Sequence, residues 1–256
     1  MTRMKTGLTV AAATLTILLG AASTALAQAA QAPQPSTERK WSAEVGIGWD
    51  NGLTGNINSS GVGTLNNQVV VITQNSYNDV YGAGLHLRFG GGYMWKPNIE
   101  ARVNLAFQSL DADEIVPMGD MGVSNLYGQF TDYQALTLDF GLRQYGRLRD
   151  RVQGYVEGLI GLGFVDKTDV TLTAPGIGFT GQASDFYDQT TAFSFGVNAG
   201  IVVETGTRTG LFVQMGLRWV SGMTEIDDLT GTGLEEINDK SSRWTIPFVV
   251  GARVRF

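Results

Sequence analysis

The sequence contains no cysteine and a single histidine. The lack of cysteine excludes disulfide bonds, zinc sites built on thiolates and lipid anchors attached through a thiol. Long apolar runs are also missing beyond the N-terminus, and the mean hydropathy is near zero, so no stretch there is suited to a membrane-spanning helix. Basic residues are outnumbered, 18 against 24 acidic ones, which argues against nucleic acid as a partner.

The N-terminus has the pattern of a secretory signal peptide over residues 1–27. Arg3 and Lys5 form a basic start, an uncharged and largely apolar run follows, and a small-x-small tripeptide ends at Ala27. The apolar run is shorter than the ~20 residues that a spanning helix needs. We therefore predict cleavage between Ala27 and Gln28, which changes the formal net charge from −6 to −8 by removing two bases.

A polar, proline-containing lead over 28–40 follows the cleavage site, and we predict that it is a disordered periplasmic tail. Residues 41–256 are predicted to form one domain in which apolar and polar residues alternate with the period of a β-strand. The pattern is clearest from Trp244 to Phe256, where every even position is apolar and two arginines lie on the opposite face. A soluble sandwich turns such an apolar face inward, whereas a transmembrane barrel turns it toward lipid and the arginines toward the lumen.

Eight segments alternate in this way and predict an all-β fold, an eight-stranded antiparallel up-and-down transmembrane β-barrel. Short turns follow the second, fourth and sixth segments, and long loops follow the others, as expected of periplasmic turns and extracellular loops. In a soluble sandwich, short and long connections are not expected to alternate along the chain. A ten-stranded barrel is the alternative if a long loop adds a hairpin that enters the membrane. The predicted strands are 41–50, 81–95, 99–109, 135–145, 152–165, 192–204, 210–220 and 244–256.

Charged residues within these strands fall on the predicted inward face. Acidic and basic groups nearly balance, which predicts a pairing network, because unpaired charges in a low-dielectric lumen are costly. The interior of an eight-stranded barrel is just wide enough for side chains to fill it, which favours a plugged lumen over a narrow path for ions or solutes. The predicted lumen residues are Glu44, Arg88, Glu100, Arg102, Asp139, Arg143, Glu157, Glu204, Arg218, Arg253 and Arg255.

Aromatic residues cluster at the predicted strand ends. Such clustering is typical of the two girdles that anchor a barrel at the membrane interfaces. Those at short-turn ends are Trp41, Trp95 and Phe256, and those at long-loop ends are Trp49, Tyr81, Trp219 and Trp244.

The signal peptide, the eight alternating strands and the C-terminal Val254-Arg255-Phe256 together resemble the OmpA-type family of small outer-membrane β-barrels of Gram-negative bacteria. This group includes opacity-like and OmpW-like surface proteins, and the resemblance covers 41–256. It implies location in the bacterial outer membrane, contact with membrane lipid and lipopolysaccharide, and insertion by the outer-membrane assembly machinery. That machinery reads the final strand, so Phe256 is the predicted assembly signal.

We expect a non-enzymatic monomer with a structural or surface-interaction role through four long extracellular loops, and a narrow porin-like channel is the alternative. No catalytic, cofactor or metal site is predicted. His86 is placed inward near Arg88, whose charge disfavours imidazolium and suits a general base poorly. The acidic pair Asp227-Asp228 has no neighbouring histidine, and the acidic loops match no calcium-binding motif. The first long loop, 51–78, is uncharged and is predicted to form an extended hairpin suited to adhesion.

Overall fold

A computed structural model describes residues 39–256 except 66, 113–114, 123, 226–230 and 239–240, and describes only the backbone of residues 182–185. The predicted signal peptide, its cleavage site at Ala27 and Gln28, and all but the last two residues of the predicted lead lie outside the described residues. The same is true of Asp227 and Asp228. Within the described part of the chain, no helix has the length and apolar character needed to cross a membrane.

The described residues contain sixteen strands, one helical turn at Tyr77–Val80 and 3-10 turns at Pro175–Ile177 and Glu235–Asn238. The strands, numbered in chain order, are β1 (Trp41–Thr54), β2 (Asn56–Asn58), β3 (Gly61–Leu65), β4 (Gln68–Ile72), β5 (Asn75–Ser76), β6 (Gly84–Lys96), β7 (Ile99–Leu110), β8 (Val116–Asp120), β9 (Asn125–Phe130), β10 (Tyr133–Arg149), β11 (Val152–Val165), β12 (Thr168–Ala174), β13 (Phe179–Tyr187), β14 (Thr190–Glu204), β15 (Thr209–Val220) and β16 (Arg243–Arg255).

Eight of these strands close into an antiparallel barrel in the order β1-β16-β15-β14-β11-β10-β7-β6. The predicted fold class is confirmed, and each barrel strand contains most of one predicted segment. In β1, exposed and buried side chains alternate without a break from Trp41 to Asp50. Glu157 in β11 is buried, as its predicted parity requires. Among the described residues, no further strand joins the barrel, so the ten-stranded alternative is not found.

The outer face of the barrel is apolar. Trp41, Trp95 and Phe256 are 56%, 66% and 60% exposed at the short-turn end. At the long-loop end, Trp49 stacks on Phe248 with ring centroids 4.7 Å apart. Tyr81 was predicted to belong to this outer face, but it lies beyond the barrel strand and is 3% exposed. The long-loop segments fold over it, which period-2 alternation does not foresee.

Pro247 lies in β16, where a proline removes one ladder hydrogen bond. The sequence suggests a bulge or the end of pairing at this point. In the structure, Pro247 pairs with Asp50 of β1, whereas pairing with β15 stops at Phe248 and resumes at Thr245 in the same register. The proline therefore interrupts one ladder locally without shifting the strand.

The long-loop end carries a second folded layer, here called the cap, formed by residues 55–83, 111–132, 166–189 and 221–242. Six of its strands form a sheet in the order β13-β12-β9-β8-β4-β3. The predicted hairpin in 51–78 is present as β3 and β4. The other long connections were predicted as loops, and this was wrong for two of them, because β8 pairs with β9 and β12 pairs with β13.

A buried apolar cluster fills the cap. Ile57, Val70 and Leu126 are 0% exposed, and Leu234 is 1% exposed. The edge of β3 is covered by the fourth connection, because the Thr64 amide donates to the carbonyl of Thr232 at 2.7 Å. Covering an edge removes unpaired backbone groups that would otherwise pair with another chain. The cap is therefore a packed β-layer that continues the barrel away from its short turns.

Close contact between β1 and β16 depends on glycine. A Cβ added to Gly48 would overlap the carbonyl oxygen of Phe248, whereas a Cβ added to Gly158 has no heavy atom within 4 Å. We predict that Gly48→Ala lowers the free energy of unfolding by about 1–3 kcal/mol through overpacking and that Gly158→Ala leaves it nearly unchanged. Urea titration of the refolded protein in detergent, followed by tryptophan fluorescence, measures both. Equal stability of the two variants would contradict this account of the contact.

Candidate functional site

Seven charged side chains meet inside the barrel, and we call this group the lumen network. Each is at most 5% exposed, because an inward-facing residue of a closed barrel has other strands on all sides. They come from β1, β6, β7, β10, β11 and β16, whereas β14 and β15 add neutral amides at the same level. The lumen network consists of Glu44, Glu100, Glu157, Arg88, Arg102, Arg143 and Arg253.

Glu44 of β1 binds arginines from three other strands. Arg102 Nη2 lies 2.6 Å from Oε2 of Glu44, and Arg143 Nη1 lies 2.6 Å from Oε1. Arg253 Nε is 3.6 Å from the same carboxylate. Hydrogen bonds between ionised partners are the short, strong ones. Glu44 therefore connects β1 to β7 and β10 across the lumen and to its sheet neighbour β16.

Glu157 of β11 is the second shared carboxylate. Nη2 of Arg88 donates to both of its oxygens, at 3.0 and 2.9 Å. Arg143 donates to Glu157 Oε1 at 3.3 Å, and the amide of Asn198 donates to Oε2 at 3.0 Å. Since Arg143 contacts Glu44 as well, the two carboxylates belong to one connected cluster.

Glu100 of β7 completes the network nearer the short-turn end. Arg253 Nη2 donates to it at 2.7 Å, and the hydroxyl of Tyr145 donates at 2.5 Å. Ser42 also donates to this carboxylate. The network has four guanidinium groups for three carboxylates, and Arg143 lies 4.0 Å above the ring of Tyr155. A cation over an aromatic face is stabilised by the ring quadrupole, which compensates part of the excess positive charge.

The remaining predicted lumen residues form two separate pairs. Arg218 binds Asp139 at 2.5 Å and donates to Ser194 at 2.8 Å. Arg255 and Glu204 lie 3.4 Å apart at the short-turn rim, where both side chains are partly exposed. The structure thus joins seven of the eleven predicted residues in one cluster and places the other four beside it.

Asp50 and Arg243 also point inward, although neither was among the predicted lumen residues. Asp50 was the last residue of its predicted strand, and Arg243 was assigned to the fourth loop. Asp50 accepts hydrogen bonds from Gln108 and from Thr245, the latter at 3.2 Å. Extending the predicted final strand by one residue, with its parity kept, would have placed Arg243 inside.

A tyrosine cluster closes the long-loop end of the lumen. Tyr77, Tyr81 and Tyr133 have ring centroids 6.0 to 6.5 Å apart. The guanidinium of Arg243 lies 3.9 Å above the ring of Tyr133 and 5.0 Å from that of Tyr77. Burial raises the pKa of Tyr77 and of Tyr81 above its usual value, so both rings stay neutral beside this cation. The apolar interior of the cap lies above them.

A second apolar layer closes the short-turn end. It joins Tyr155, Phe212 and other buried side chains, and Val249 within it is 0% exposed. The hydroxyl of Tyr155 donates to Gln214 at 3.0 Å, which ties this layer to the lumen above it. The layer lies on the short-turn side of Arg143 and Glu157, whereas on β16 Val249 lies on the long-loop side of Arg253. Members of the layer are Tyr145, Tyr155, Val202, Phe212 and Val249, with Met94 against them.

A cavity of about 20 Å³ lies within the lumen beside His86, room for about one water molecule. Arg88, Asp139, Asn198 and Arg218 are among the residues that line it. His86 points inward and is 3% exposed, so a substrate outside the barrel does not reach its ring. Among the described residues, no group of three histidine or acidic side chains is placed to hold a metal ion.

The arrangement of apolar side chains outside and paired charges inside is that of a small transmembrane β-barrel, and the strand number and antiparallel order agree with this class. Burial inverted in this way does not occur in a soluble barrel, whose core is apolar. The class thus follows from the fold and from the contents of the lumen.

No family model matches the sequence, and no curated protein matches it. Among solved structures, the chain is similar to Neisserial surface protein A, with 10% identity, a TM-score of 0.44 and coverage of 84% of this chain and 97% of that one. For the attachment invasion locus protein of Yersinia pestis, the sequence identity is 12% and the TM-score is 0.37, with coverage of 85% of this chain and 99% of that one. For the outer membrane protein OprG of Pseudomonas aeruginosa, the sequence identity is 11% and the TM-score is 0.40, with coverage of 85% of this chain and 97% of that one. At such identities the likeness concerns the fold alone.

The lumen network predicts a large stability difference between buried and exposed ion pairs. Glu157→Gln leaves Arg88 and Arg143 without their shared counter-charge, and we expect a loss of about 3–5 kcal/mol in the free energy of unfolding. Asp150→Asn removes the exposed pair with Arg147, whose atoms are 2.6 Å apart, and should cost less than about 1 kcal/mol. Urea titration of the refolded variants measures both. Similar losses would show that the network does not hold the strands together.

Proposed function

We propose that this chain is an outer-membrane protein of a Gram-negative envelope whose barrel is a closed anchor for a cap displayed at the cell surface. In this proposal the signal peptide is removed after Ala27, and the assembly machinery reads the final strand with Phe256. The short turns then face the periplasm and the cap faces outward. The partners are outer-membrane lipid and lipopolysaccharide, and the protein is a monomer.

The apolar outer face supports the membrane location. Val45, Ile47, Phe140 and Val197 are all about half exposed, and they belong to a belt that runs around every barrel strand. Leaving one large apolar side chain in water costs about 1.5–3 kcal/mol relative to burying it. All eight barrel strands carry such side chains, and the cost of exposing them is removed when lipid hydrocarbon replaces water around the barrel.

Closure of the lumen is the observation that carries the proposed anchor role. A continuous water path has to pass the lumen network and the tyrosine cluster. The network is tied by ion pairs of 2.6 to 2.9 Å, and Tyr77, Tyr81 and Tyr133 are at most 3% exposed. The cavity beside His86 has room for about one water molecule.

The cap supports a role in surface interaction. Strands β3 and β4 carry Val62, Val69 and Val71, which are 63%, 65% and 48% exposed. Val62 and Val71 are direct cross-strand neighbours, so their side chains lie on one face. Residues 51–78 contain no charged side chain. Exposed apolar side chains on a rigid, uncharged hairpin are suited to contact with another surface.

An enzymatic role is not part of the proposal. His86 is buried in the lumen beside Arg88 and Arg218. A general acid or base has to reach the substrate within hydrogen-bond distance. The net negative charge likewise argues against binding of nucleic acid.

We expect the refolded mature protein to show no steady conductance in a planar lipid bilayer. Arg102→Ala and Glu100→Ala should be silent as well, because each leaves the tyrosine cluster and the rest of the lumen network in place. A general porin added to the same bilayer shows that the recording detects open channels. Steady conductance that changes with either substitution would overturn the anchor role and identify a narrow channel whose inward charges set its selectivity.

We expect bacteria that display the protein to attach to polystyrene better than bacteria that lack it. The triple variant Val62→Thr, Val69→Thr and Val71→Thr keeps β-branched residues and should reduce attachment severalfold. The matched control, Ile115→Thr with Ile177→Thr, removes apolar side chains that are 61% and 38% exposed elsewhere on the cap, and should leave attachment unchanged. Equal attachment by all strains at equal display would exclude the hairpin as the contact element.

A further inference from the structure

Charged side chains outside the lumen are divided between the two ends of the barrel. At the short-turn end, basic residues outnumber Asp150 and Glu204 several times over. At the long-loop end, acidic residues dominate, and the described basic residues there are Lys167 and the buried Arg243. The short-turn bases that are exposed, here called the basic collar, are Lys40, Lys96, Arg147, Arg149, Arg151 and Arg208.

The collar lies at the rim of the apolar belt. Lys40 precedes Trp41, Lys96 follows Trp95, and Arg151 precedes Val152. One strand residue advances about 3.3 Å, and the headgroup layer on each side of a bilayer is about 5–8 Å thick. With the belt in the hydrocarbon and the two tryptophans at its boundary, the collar side chains stand at the level of the lipid phosphates.

Most collar side chains have no acidic partner within the protein. Asp150 pairs with Arg147 and Glu204 pairs with Arg255, which uses both acidic residues of this end. Within the described residues, Lys40, Lys96, Arg149, Arg151 and Arg208 form no ion pair. Lys96 instead lies 5.6 Å from the centroid of the Trp95 ring. Their charge is therefore left for a partner outside the chain.

We propose that the basic collar binds the phosphate groups of anionic glycerophospholipids in the leaflet at the short-turn end of the barrel. Each lysine or arginine near an anionic membrane surface strengthens association by about fivefold, and the effect falls off within a Debye length. The collar surrounds the barrel at one level, so it contacts the annular lipids rather than a single docked molecule. The inference rests on the proposed membrane location.

The long-loop end of the molecule is acidic, so the preference for anionic lipid differs between the two ends of the barrel. Asp120, Asp132, Asp166 and Glu236 are among the acidic residues of the cap, and like charges repel the headgroups of anionic glycerophospholipids. An anionic glycerophospholipid is thus attracted at one rim and repelled at the other. The charge difference also favours one orientation of the barrel in a membrane whose two surfaces differ in charge.

The test measures how many lipids the inserted full-length mature protein immobilises. The protein is reconstituted into vesicles of equal parts phosphatidylcholine and phosphatidylglycerol that carry a trace of either spin-labelled lipid. The motionally restricted fraction gives the relative association of the two lipids. We expect wild type to prefer phosphatidylglycerol, and Arg147→Gln, Arg149→Gln and Arg151→Gln together to reduce that preference by about fivefold or more. Raised salt should weaken the wild-type preference in the same direction.

A matched variant separates the collar from net charge. Asn125→Asp, Gln129→Glu and Thr180→Glu change three exposed residues of the cap and lower the net charge as much as the collar variant does. This control should keep the wild-type preference. Equal association of both lipids with inserted wild type, or a preference that survives in the collar variant, would overturn the proposal. Failure of wild type to insert into the vesicles would instead contradict the membrane location. Heat-modifiable mobility on gels measures folding and insertion separately from lipid preference.

Discussion

Closure of the sheet is the constraint on which the rest of this structure depends. A β-strand in hydrocarbon has no water to satisfy its amide and carbonyl groups, so every strand needs a partner on both sides. Eight strands satisfy this condition here by pairing β1 with both β16 and β6. Closure at this strand number leaves an interior only wide enough for side chains, and that narrowness determines how the inward charges are arranged.

In so narrow a lumen, the inward-facing carboxylate and guanidinium groups lie within hydrogen-bond distance of one another. Glu44, Glu100 and Glu157 share four arginines that come from four different strands. The pairs Glu44–Arg143 and Arg88–Glu157 join strands that are not neighbours in the barrel, so the network opposes separation of the strands it joins. The desolvation of these groups is expensive, and it is offset because every carboxylate oxygen of the three glutamates accepts a hydrogen bond and four of the six accept two. Burial of the whole cluster keeps water from competing for those bonds.

The interior changes character where the barrel passes into the cap. Below Arg243 the interior is dominated by charged and amide side chains, apart from the apolar cluster around Tyr155, and above Arg243 it is apolar. Outside, the order is reversed, because the belt ends and the cap surface is polar and acidic. The cap is therefore built like a soluble β-protein on top of an inside-out barrel. Arg243, stacked on Tyr133, lies at the boundary between these two kinds of interior.

The local alternation of apolar and polar residues was sufficient to predict the barrel strands. Period-2 alternation is a property of neighbouring residues, so it predicted the eight strands and most of the inward-facing charged residues, whereas the inward parity of Glu157 was predicted from the cost of a glutamate in lipid. Errors occurred at strand ends, where Tyr81 was placed on the outer face, Arg243 was assigned to a loop and Asp50 was left out of the lumen set. The cap was predicted only at β3 and β4. Its other strands are short and rich in glycine and threonine, and they are held by partners that lie far away in the sequence.

The sequence by itself determined which residues face in and which face out, because that choice depends only on alternation along one strand. It also placed the short and long connections at opposite ends. The tertiary structure decided which carboxylate meets which arginine, since Glu44 and Arg143 are joined only through barrel closure and the stagger between strands. It likewise decided that the long connections fold into one cap, because β4 pairs with β8 and β9 pairs with β12, and these strands belong to different connections that are far apart in the sequence.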